Sequence, residues 1–402
     1  MRGEAKSRLI TNWSSLPSVD RDHAVTFLNE SAARAQRAVI DSDASAFYLH
    51  VDDGIVISED RARANSLMDF SADALEEKGF VVTDRQHCDQ LLKVVGCEVL
   101  NKPALLRYPV LKGAMLQKAM RWVASMERPQ LSVVRSLLGI WLFGALLRRE
   151  LLSAAFHIFH FVESDLERRS WWRSARHEFL VMSHLVAFMH IDVGTRASGI
   201  VLASDAQGAG ELSQSDCGGF GIVAAEAPDH VVRAAWRTGF APGHSIARLD
   251  GMLGSRWKPE RASAPTIPFS RLPPELFDLD WRPLARGRWK WADHITLGES
   301  RAHCRIARAL AADGNAHHLR FIALQDNAAT SASMSKGRSP APALNYYCRQ
   351  RAASLLGAEI LLAVPWVQTS LQPADEESRR RPEAFGSATG DQDFGLFDAE
   401  VP

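Results

Sequence analysis

The fold prediction for this chain starts from Gly199-Ile200-Val201-Leu202-Ala203-Ser204-Asp205. Its short apolar run, bounded by a glycine and polar residues, is typical of a buried β-strand. The small residues Ala206-Gln207-Gly208-Ala209-Gly210 follow at once, which places Asp205 at the end of the strand. Because ligands usually bind at the carboxyl ends of strands in α/β proteins, Asp205 is predicted to lie at a ligand-binding edge.

Three further acids occupy comparable positions in the C-terminal half. Glu299 falls in the first turn of a predicted helix, and Asp326 and Asp375 follow predicted strands. The predicted elements are the helix Leu297–Ala311, the strand Leu319–Leu324, the helix Ala343–Gly357 and the strand Ile360–Val364. Convergent carboxylates suit paired hard cations, which activate water and stabilise the leaving oxyanion in phosphodiester cleavage. Taken singly, each acid is more commonly a helix cap or a solvated side chain.

Two adjacent acids mark a predicted hairpin in the N-terminal half. The strand 46–51 leads into Asp52-Asp53-Gly54, and the strand Ile55–Ser58 leads out. Asp-Gly between β-prone residues is a strong hairpin signal. Adjacent carboxylates in a tight turn repel each other and are favoured mainly when a cation lies between them. A solvated turn is an equally good interpretation, since Asp and Gly are common in turns for backbone reasons alone.

Composition excludes several classes of protein. The 402 residues carry 47 Lys plus Arg and 47 Asp plus Glu, so the chain does not bind nucleic acid by overall charge, although a local basic channel remains compatible with this balance. The five cysteines are scattered, which favours a reducing compartment over a disulfide framework. The longest apolar run is shorter than the ~20 residues that span a bilayer. We therefore expect an intracellular protein, cytoplasmic or nuclear, that is neither secreted nor inserted in a membrane.

Read in order, the motifs resemble the reverse transcriptase–ribonuclease H region of retroelement polyproteins, most closely the DIRS-like retrotransposon type. Phe47-Tyr48-Leu49-His50-Val51-Asp52-Asp53 resembles the catalytic hairpin of reverse transcriptases, with Gly79-Phe80 and Val94-Val95-Gly96-Cys97 as further pieces of the palm. The segments that resemble the ribonuclease H domain are Asp205-Ala206, Gly287-Arg288-Trp289, His294-Ile295-Thr296-Leu297-Gly298-Glu299, Gln325-Asp326-Asn327-Ala328-Ala329, Lys336-Gly337-Arg338-Ser339 with Leu344-Asn345, and Pro373-Ala374-Asp375-Glu376-Glu377-Ser378-Arg379.

The resemblance implies an α+β or α/β fold class: a partial reverse transcriptase palm and a helical thumb or connection, followed by a ribonuclease H-like domain with a mixed sheet. The implied divisions are a polar N-terminal remnant (1–45), the partial palm (46–110), the helical thumb or connection (111–195), the ribonuclease H-like domain (196–380) with a proline-rich insertion at about 240–288, and a disordered acidic tail (381–402). That insertion accounts for the long separation between Asp205 and Glu299.

The resemblance also implies roles for individual residues. The nuclease acids, which would hold two Mg²⁺ ions (or Mn²⁺), are Asp205, Glu299, Asp326 and Asp375. The residues of the polymerase remnant are Asp52, as a metal ligand, and Asp53. The residues that would contact nucleic acid are Lys336, Arg338 and Asn327. Basic groups position a phosphate backbone without reading its sequence, and a solvated loop is the alternative interpretation of this segment.

These implications favour a truncated retroelement enzyme that hydrolyses the RNA strand of RNA–DNA hybrids. The residues before Asp52 contain no strand motif with the additional aspartate that a polymerase needs, which counts against polymerisation by this chain alone. That gap, with the long Asp205–Glu299 separation, favours the alternative of a catalytically inactive nucleic-acid-binding remnant. A transposase or integrase on the same fold ranks last, because those enzymes use an Asp-Asp-Glu order and the acids here run Asp-Glu-Asp-Asp. The sequence does not determine the oligomeric state.

Overall fold

The computed structural model shows a mixed α+β chain that forms two compact units. One unit is Met1–Ala119 with Met189–Gly194, and the other is Met120–Phe188 with Thr195–Pro402. The described residues are 5–11, 45–50, 53–58, 60–77, 79, 81–87, 91–94, 96–100, 104–163, 170–210, 217–239 and 272–380. Among these residues, no helix combines the length and apolar character needed to span a membrane.

The first unit contains two four-stranded sheets. Their strand orders are β2-β3-β1-β4 and β5-β6-β7-β8. The strands are β1 (Ala5–Thr11), β2 (Ser45–His50), β3 (Asp53–Ser58), β4 (Val82–Gln86), β5 (Leu91–Val94), β6 (Cys97–Leu100), β7 (Leu105–Arg107) and β8 (His190–Asp192). β2 and β3 pair antiparallel with His50 opposite Asp53, so the predicted hairpin is confirmed.

Helix α1 (Arg61–Glu76) shows how local signals set the boundaries of an element. Its N-cap is Asp60, whose side chain accepts a hydrogen bond of 2.7 Å from the backbone N–H of Arg63. That bond satisfies one of the free N–H groups of the first turn. After the helix, Gly79 takes φ +88°, a conformation that glycine adopts without steric cost. Local capping signals therefore account for both ends of this helix.

A five-stranded mixed sheet organises the second unit. Its strand order is β11-β10-β9-β12-β13, with β9 antiparallel to β10, β10 antiparallel to β11, and β12 parallel to both β9 and β13. The strands are β9 (Arg196–Gln207), β10 (Gly219–Glu226), β11 (Arg282–Arg288), β12 (Leu319–Leu324) and β13 (Leu361–Ala363). The sequence therefore predicted the mixed sheet correctly.

Helices cover both faces of this sheet. Alternate residues of β9 point to opposite sides: Leu202 packs into the cluster that contains Ile306, while Val201 and Ala203 pack into the cluster that contains Val231. The α-helices beyond α1 are α2 (Val110–Ser125), α3 (Leu131–Ala145), α4 (His157–Val162), α5 (Arg173–Leu185), α6 (Asp229–Gly239), α7 (Ile295–Ala312), α8 (Ala328–Lys336), α9 (Pro342–Gly357) and α10 (Asp375–Arg379). Burial on both faces explains the continuous apolar runs in the strand sequences.

The predicted proline-rich insertion of about 240–288 requires correction at its C-terminal end. Residues 240–271 lie outside the described residues, but β11 occupies the end of the range and pairs with β10. A proline inside a strand argues against a central position, yet β11 lies at the edge of the sheet. Pro283 faces Val223 where the pairing register shifts, so its missing N–H costs no regular ladder bond.

Two other predicted divisions relate to the structure as follows. Most of the predicted thumb or connection of 111–195, namely Met120–Phe188, belongs to the same compact unit as the five-stranded sheet, and its assignment as a thumb or connection stays a prediction. Packing explains this grouping: buried Asn345 of α9 donates to the backbone oxygen of Ser153 at 2.9 Å. The polar remnant predicted for 1–45 contains strand β1, while the tail at 381–402 falls outside the described residues.

Candidate metal centre

Three separate elements bring acidic side chains to one edge of the five-stranded sheet. Asp205 lies near the C-terminal end of β9, opposite Gly221 of β10. Asp326 follows β12, which runs parallel to β9, so the two strands end at the same edge. Glu299 lies in the second turn of α7, and this helix packs on β9 and β10.

The three carboxylates form a compact group. Asp205, Glu299 and Asp326 each offer one oxygen, and these oxygens all lie within 4.8 Å of one another. Asp205 and Glu299 are each only 3% exposed, whereas Asp326 is half-buried. Solvent therefore reaches the cluster at Asp326, whereas Asp205 and Glu299 form its closed, buried base.

Burial and repulsion from neighbouring acids disfavour the charged forms of Asp205 and Glu299. Burial is the main cause that raises the pKa of Asp205 to about 7, and the charges of Asp326 and Asp375 add to it. A hydrogen bond with Ser378 and the charge of Arg379 act in the opposite direction. Burial also raises the pKa of Glu299 well above its usual value, with further contributions from Asp205 and Asp326. Carboxyl groups held this close to one another keep their charged forms only when a cation binds between them.

The donor set fits a hard divalent cation. All three ligand atoms are carboxylate oxygens, the type that Mg²⁺ and Mn²⁺ prefer. The buried cluster contains no thiolate or imidazole that would favour zinc. Arg379 supplies the one cationic side chain among the groups that shift the pKa of Asp205. Among the described residues, Asp205, Glu299 and Asp326 form the one group of acidic, histidine or cysteine side chains that could hold a metal ion.

The fourth predicted ligand, Asp375, stands outside the three-carboxylate group. It begins α10, and its carboxylate pairs with Arg379 one turn later at 2.9 Å. Helix α10 nevertheless lies directly on β10, because a Cβ at Gly221 would come within 2.5 Å of the backbone nitrogen of Ser378. Only glycine allows this approach, which brings Asp375 close enough for its charge to raise the pKa of Asp205. The structure thus joins three of the four acids and places the fourth nearby.

Sequence reasoning overlooked the polar side chains beneath the acids. The Nε2 of Gln325 donates to Oε2 of Glu299 at 2.7 Å, and the Oγ of Ser204 lies 3.4 Å from Oε1 of Gln325 as its donor. Nε2 of Gln372 donates to the backbone oxygen of Ser204 at 3.1 Å. The sequence offered one signal for two of them. Ser204 and Gln325 are polar and directly precede Asp205 and Asp326, at positions where the strand pattern predicts apolar residues.

The residues expected to contact nucleic acid have different local roles. Asn327 is the N-cap of α8, and its Oδ1 accepts from the backbone N–H of Thr330 at 3.0 Å. Lys336 ends the same helix and is half-buried, while Arg338 is exposed with its guanidinium 5.2 Å from the ring centre of Phe159. Contact of the three with nucleic acid stays a prediction.

The polymerase remnant is described only in part. Asp53 is the first residue of β3, whereas Asp52 lies outside the described residues. Their assignment as polymerase residues stays a prediction.

Comparison with known proteins gives structural likeness without sequence relatives. No protein-family model and no curated protein matches the chain. A solved structure of a foamy viral protease-reverse transcriptase dRH in complex with ds DNA aligns over 91% of this chain, with 8% identity and a TM-score of 0.37. A second foamy viral protease-reverse transcriptase in complex with dsDNA aligns over 55%, with 13% identity and a TM-score of 0.30. The chain spans 58% and 48% of those two chains. With likeness this low, the chemistry of the site rests on the chain's own residues.

Proposed function

We propose that this chain is a retroelement-type nuclease that binds divalent cations at Asp205, Glu299 and Asp326 and hydrolyses the RNA strand of RNA–DNA hybrids. The observation that carries the proposal is the meeting of three carboxylates from β9, α7 and the end of β12 within 4.8 Å. Mg²⁺ is the expected cation, and Mn²⁺, which prefers the same oxygen ligands, can replace it.

Each acid has a distinct part in such a site. Asp205 and Glu299, both buried, would hold the cations at the closed base of the cluster. Asp326, which is half-buried, would hold them on the side where a phosphodiester enters. Bound divalent cations supply an activated water and neutralise the charge that develops on the leaving oxygen. Asp375 pairs with Arg379 and would join the ligand set only after its carboxylate leaves that pair.

Cationic groups on α8 and after it support binding of a nucleic-acid backbone. Arg338 is exposed, and its position over Phe159 limits the freedom of the guanidinium. Less conformational entropy is then lost when a phosphate binds. Lys336 is the last residue of α8, and Gly337, with φ +73°, separates it from Arg338. Contacts of this type position a backbone without specifying its sequence, and a hybrid would be selected by shape and 2′-hydroxyl groups.

One observation favours the second candidate, a catalytically inactive nucleic-acid-binding chain. Asp375 is engaged with Arg379 in a short-range ion pair, so the described site presents three carboxylates where the resemblance implies four. If Asp375 stays in that pair, the chain would bind a hybrid and a cation without cleaving the substrate.

A cleavage assay separates the two candidates. The full chain is incubated with an end-labelled RNA–DNA hybrid in Mg²⁺ and, in parallel, with EDTA. We expect cation-dependent cleavage of the RNA strand and a loss of at least 100-fold in Asp326→Asn, because a missing ligand removes the cation that activates water. Asp280→Asn is the matched control, since Asp280 is exposed and pairs only with the neighbouring Arg282 among the described contacts.

The outcomes of this assay distinguish the nuclease from the inactive binding chain. Equal cleavage by the wild type and Asp326→Asn would refute the nuclease assignment. Binding of the hybrid in an anisotropy titration, with no cleavage at any Mg²⁺ concentration, would support the inactive chain. Loss of cleavage in Asp280→Asn would show that the assay reports general instability.

A further inference from the structure

Buried polar side chains connect the segments that carry the acids. Gln372 donates to the backbone oxygen of Ser204, the hydroxyl of Ser204 donates to the amide oxygen of Gln325, and the amide nitrogen of Gln325 donates to Glu299. Ser204 and Gln325 are fully buried, and Gln372 is 6% exposed. The series therefore runs through the protein interior and ends at a carboxylate of the proposed cation site.

The backbone of Gln325 is fixed from both sides. Its N–H donates to the backbone oxygen of Pro365 at 3.2 Å, and its C=O accepts from the N–H of Val367 at 3.0 Å. These bonds extend the pairing of β12 beyond Leu324. With the backbone held and both ends of the amide engaged, the Gln325 side chain has a single orientation.

Packing alone does not account for a polar residue at this position. The neighbouring inward positions of β12, Phe321 through Leu324, are all apolar and buried. A buried amide contributes little net stability compared with a well-packed apolar side chain. Here its N–H is aimed at a carboxylate that is 3% exposed and has two acidic neighbours. The backbone of Ala206 also acts on this carboxylate as a hydrogen-bond donor that lowers its pKa, against the larger effect of burial.

We propose that Gln325 is a positioning residue that holds the Glu299 carboxylate in the orientation required for divalent-cation binding, with Ser204 fixing the orientation of Gln325 in turn. The inference rests on the proposed cation site and adds to it the residues that organise the site before the cation arrives. A ligand held in place by a partner of this kind loses little freedom on binding, and removing such a partner typically weakens metal affinity about 10- to 100-fold.

The test is cation affinity, measured by titration calorimetry with Mn²⁺ on the full chain. Gln325→Met keeps the length of the side chain and removes both polar atoms. Asn345→Leu is the matched control, because Asn345 is another buried amide, bonded to Ser153 and Ser339 and to none of the acids. Both variants should lower the thermal midpoint. Only Gln325→Met should weaken Mn²⁺ binding, by about 10- to 100-fold.

Each result supports or overturns the inference. Wild-type affinity in Gln325→Met, or equal weakening in Asn345→Leu, overturns it. If Gln325→Met fails to fold, Ser204→Ala replaces it, with a smaller loss of affinity expected and unchanged affinity overturning the inference. Failure of the cation site itself has a different signature, since the wild type would then show no saturable Mn²⁺ binding, or Asp326→Asn would bind as the wild type does.

Discussion

Replacing Asp205 with asparagine should stabilise the cation-free protein above pH 7, the reverse of what most substitutions of buried residues do. Burial raises the pKa of this carboxyl from 3.8 to about 7. A raised pKa means that the folded chain binds the proton more tightly than the unfolded chain does. The contribution to stability is therefore complete below pH 4, is lost as the pH rises from about 4 to about 7, and stays lost above that.

The size of the effect follows from the shift. A difference of about three pKa units corresponds to at most about 4 kcal/mol of unfolding free energy, at 1.36 kcal/mol per unit. Asparagine has a similar shape and carries no charge, so it removes this penalty at neutral pH and changes little at pH 4. Glu299 and Asp326 remain beside position 205, and the effect of Asp326 on the pKa of Glu299 persists in the variant.

Urea unfolding in EDTA at pH 4.5 and pH 8 measures the effect. The unfolding free energy of Asp205→Asn minus that of the wild type should become more positive from pH 4.5 to pH 8. Millimolar Mg²⁺ at pH 8 should then stabilise the wild type more than the variant, since a ligand bound only by the folded state stabilises it. A variant that is destabilised equally at both pH values, with no differential response to Mg²⁺, would refute the reasoning. Asp280→Asn, at an exposed position, serves as the control.

Two further predictions concern the packing of the second unit. Gly337→Ala should lower the unfolding free energy by about 2–4 kcal/mol, because φ is +73° and a Cβ would lie 1.9 Å from the backbone oxygen of Arg149. Glu178→Gln should cost about 2 kcal/mol, because this buried carboxylate accepts from the backbone N–H groups of Phe156 and Ile158 at 2.9 and 3.0 Å and also pairs with Arg349. Thermal unfolding checks both.

Each of these two variants has a matched control. Gly139→Ala, in the middle of α3 with no atom within 4 Å of the added Cβ, should raise stability by about 0.5–1 kcal/mol. Glu163→Gln changes an exposed carboxylate and should have little effect. A stable Gly337→Ala would show that the contact with Arg149 relaxes freely, and a stable Glu178→Gln would show that the charge of Glu178 is dispensable.

Strands with strong local patterns were predicted correctly, and strands that depend on neighbours were not. β9 and β12 carry continuous apolar runs, and the structure confirms both. β10 went unrecognised because its glycines are typical of loops, yet Gly221 is required where α10 packs against the strand. β11 was assigned to an insertion because it contains Pro283, which an edge strand tolerates. In each failure the deciding contact comes from a distant part of the chain.

The sequence by itself determined which acidic residues could lie at the edge of a sheet. Asp205 lies near the end of one apolar strand, Asp326 follows another, and Glu299 lies near the start of a helix. These are properties of a few consecutive residues. Tertiary structure alone decided that their oxygens come within 4.8 Å, that Asp375 pairs with Arg379, and that Gln325 donates to Glu299. Local sequence fixes backbone preference over one element, whereas a distance between elements depends on strand pairing and helix packing across the whole unit, where small shifts move a side chain into or out of contact.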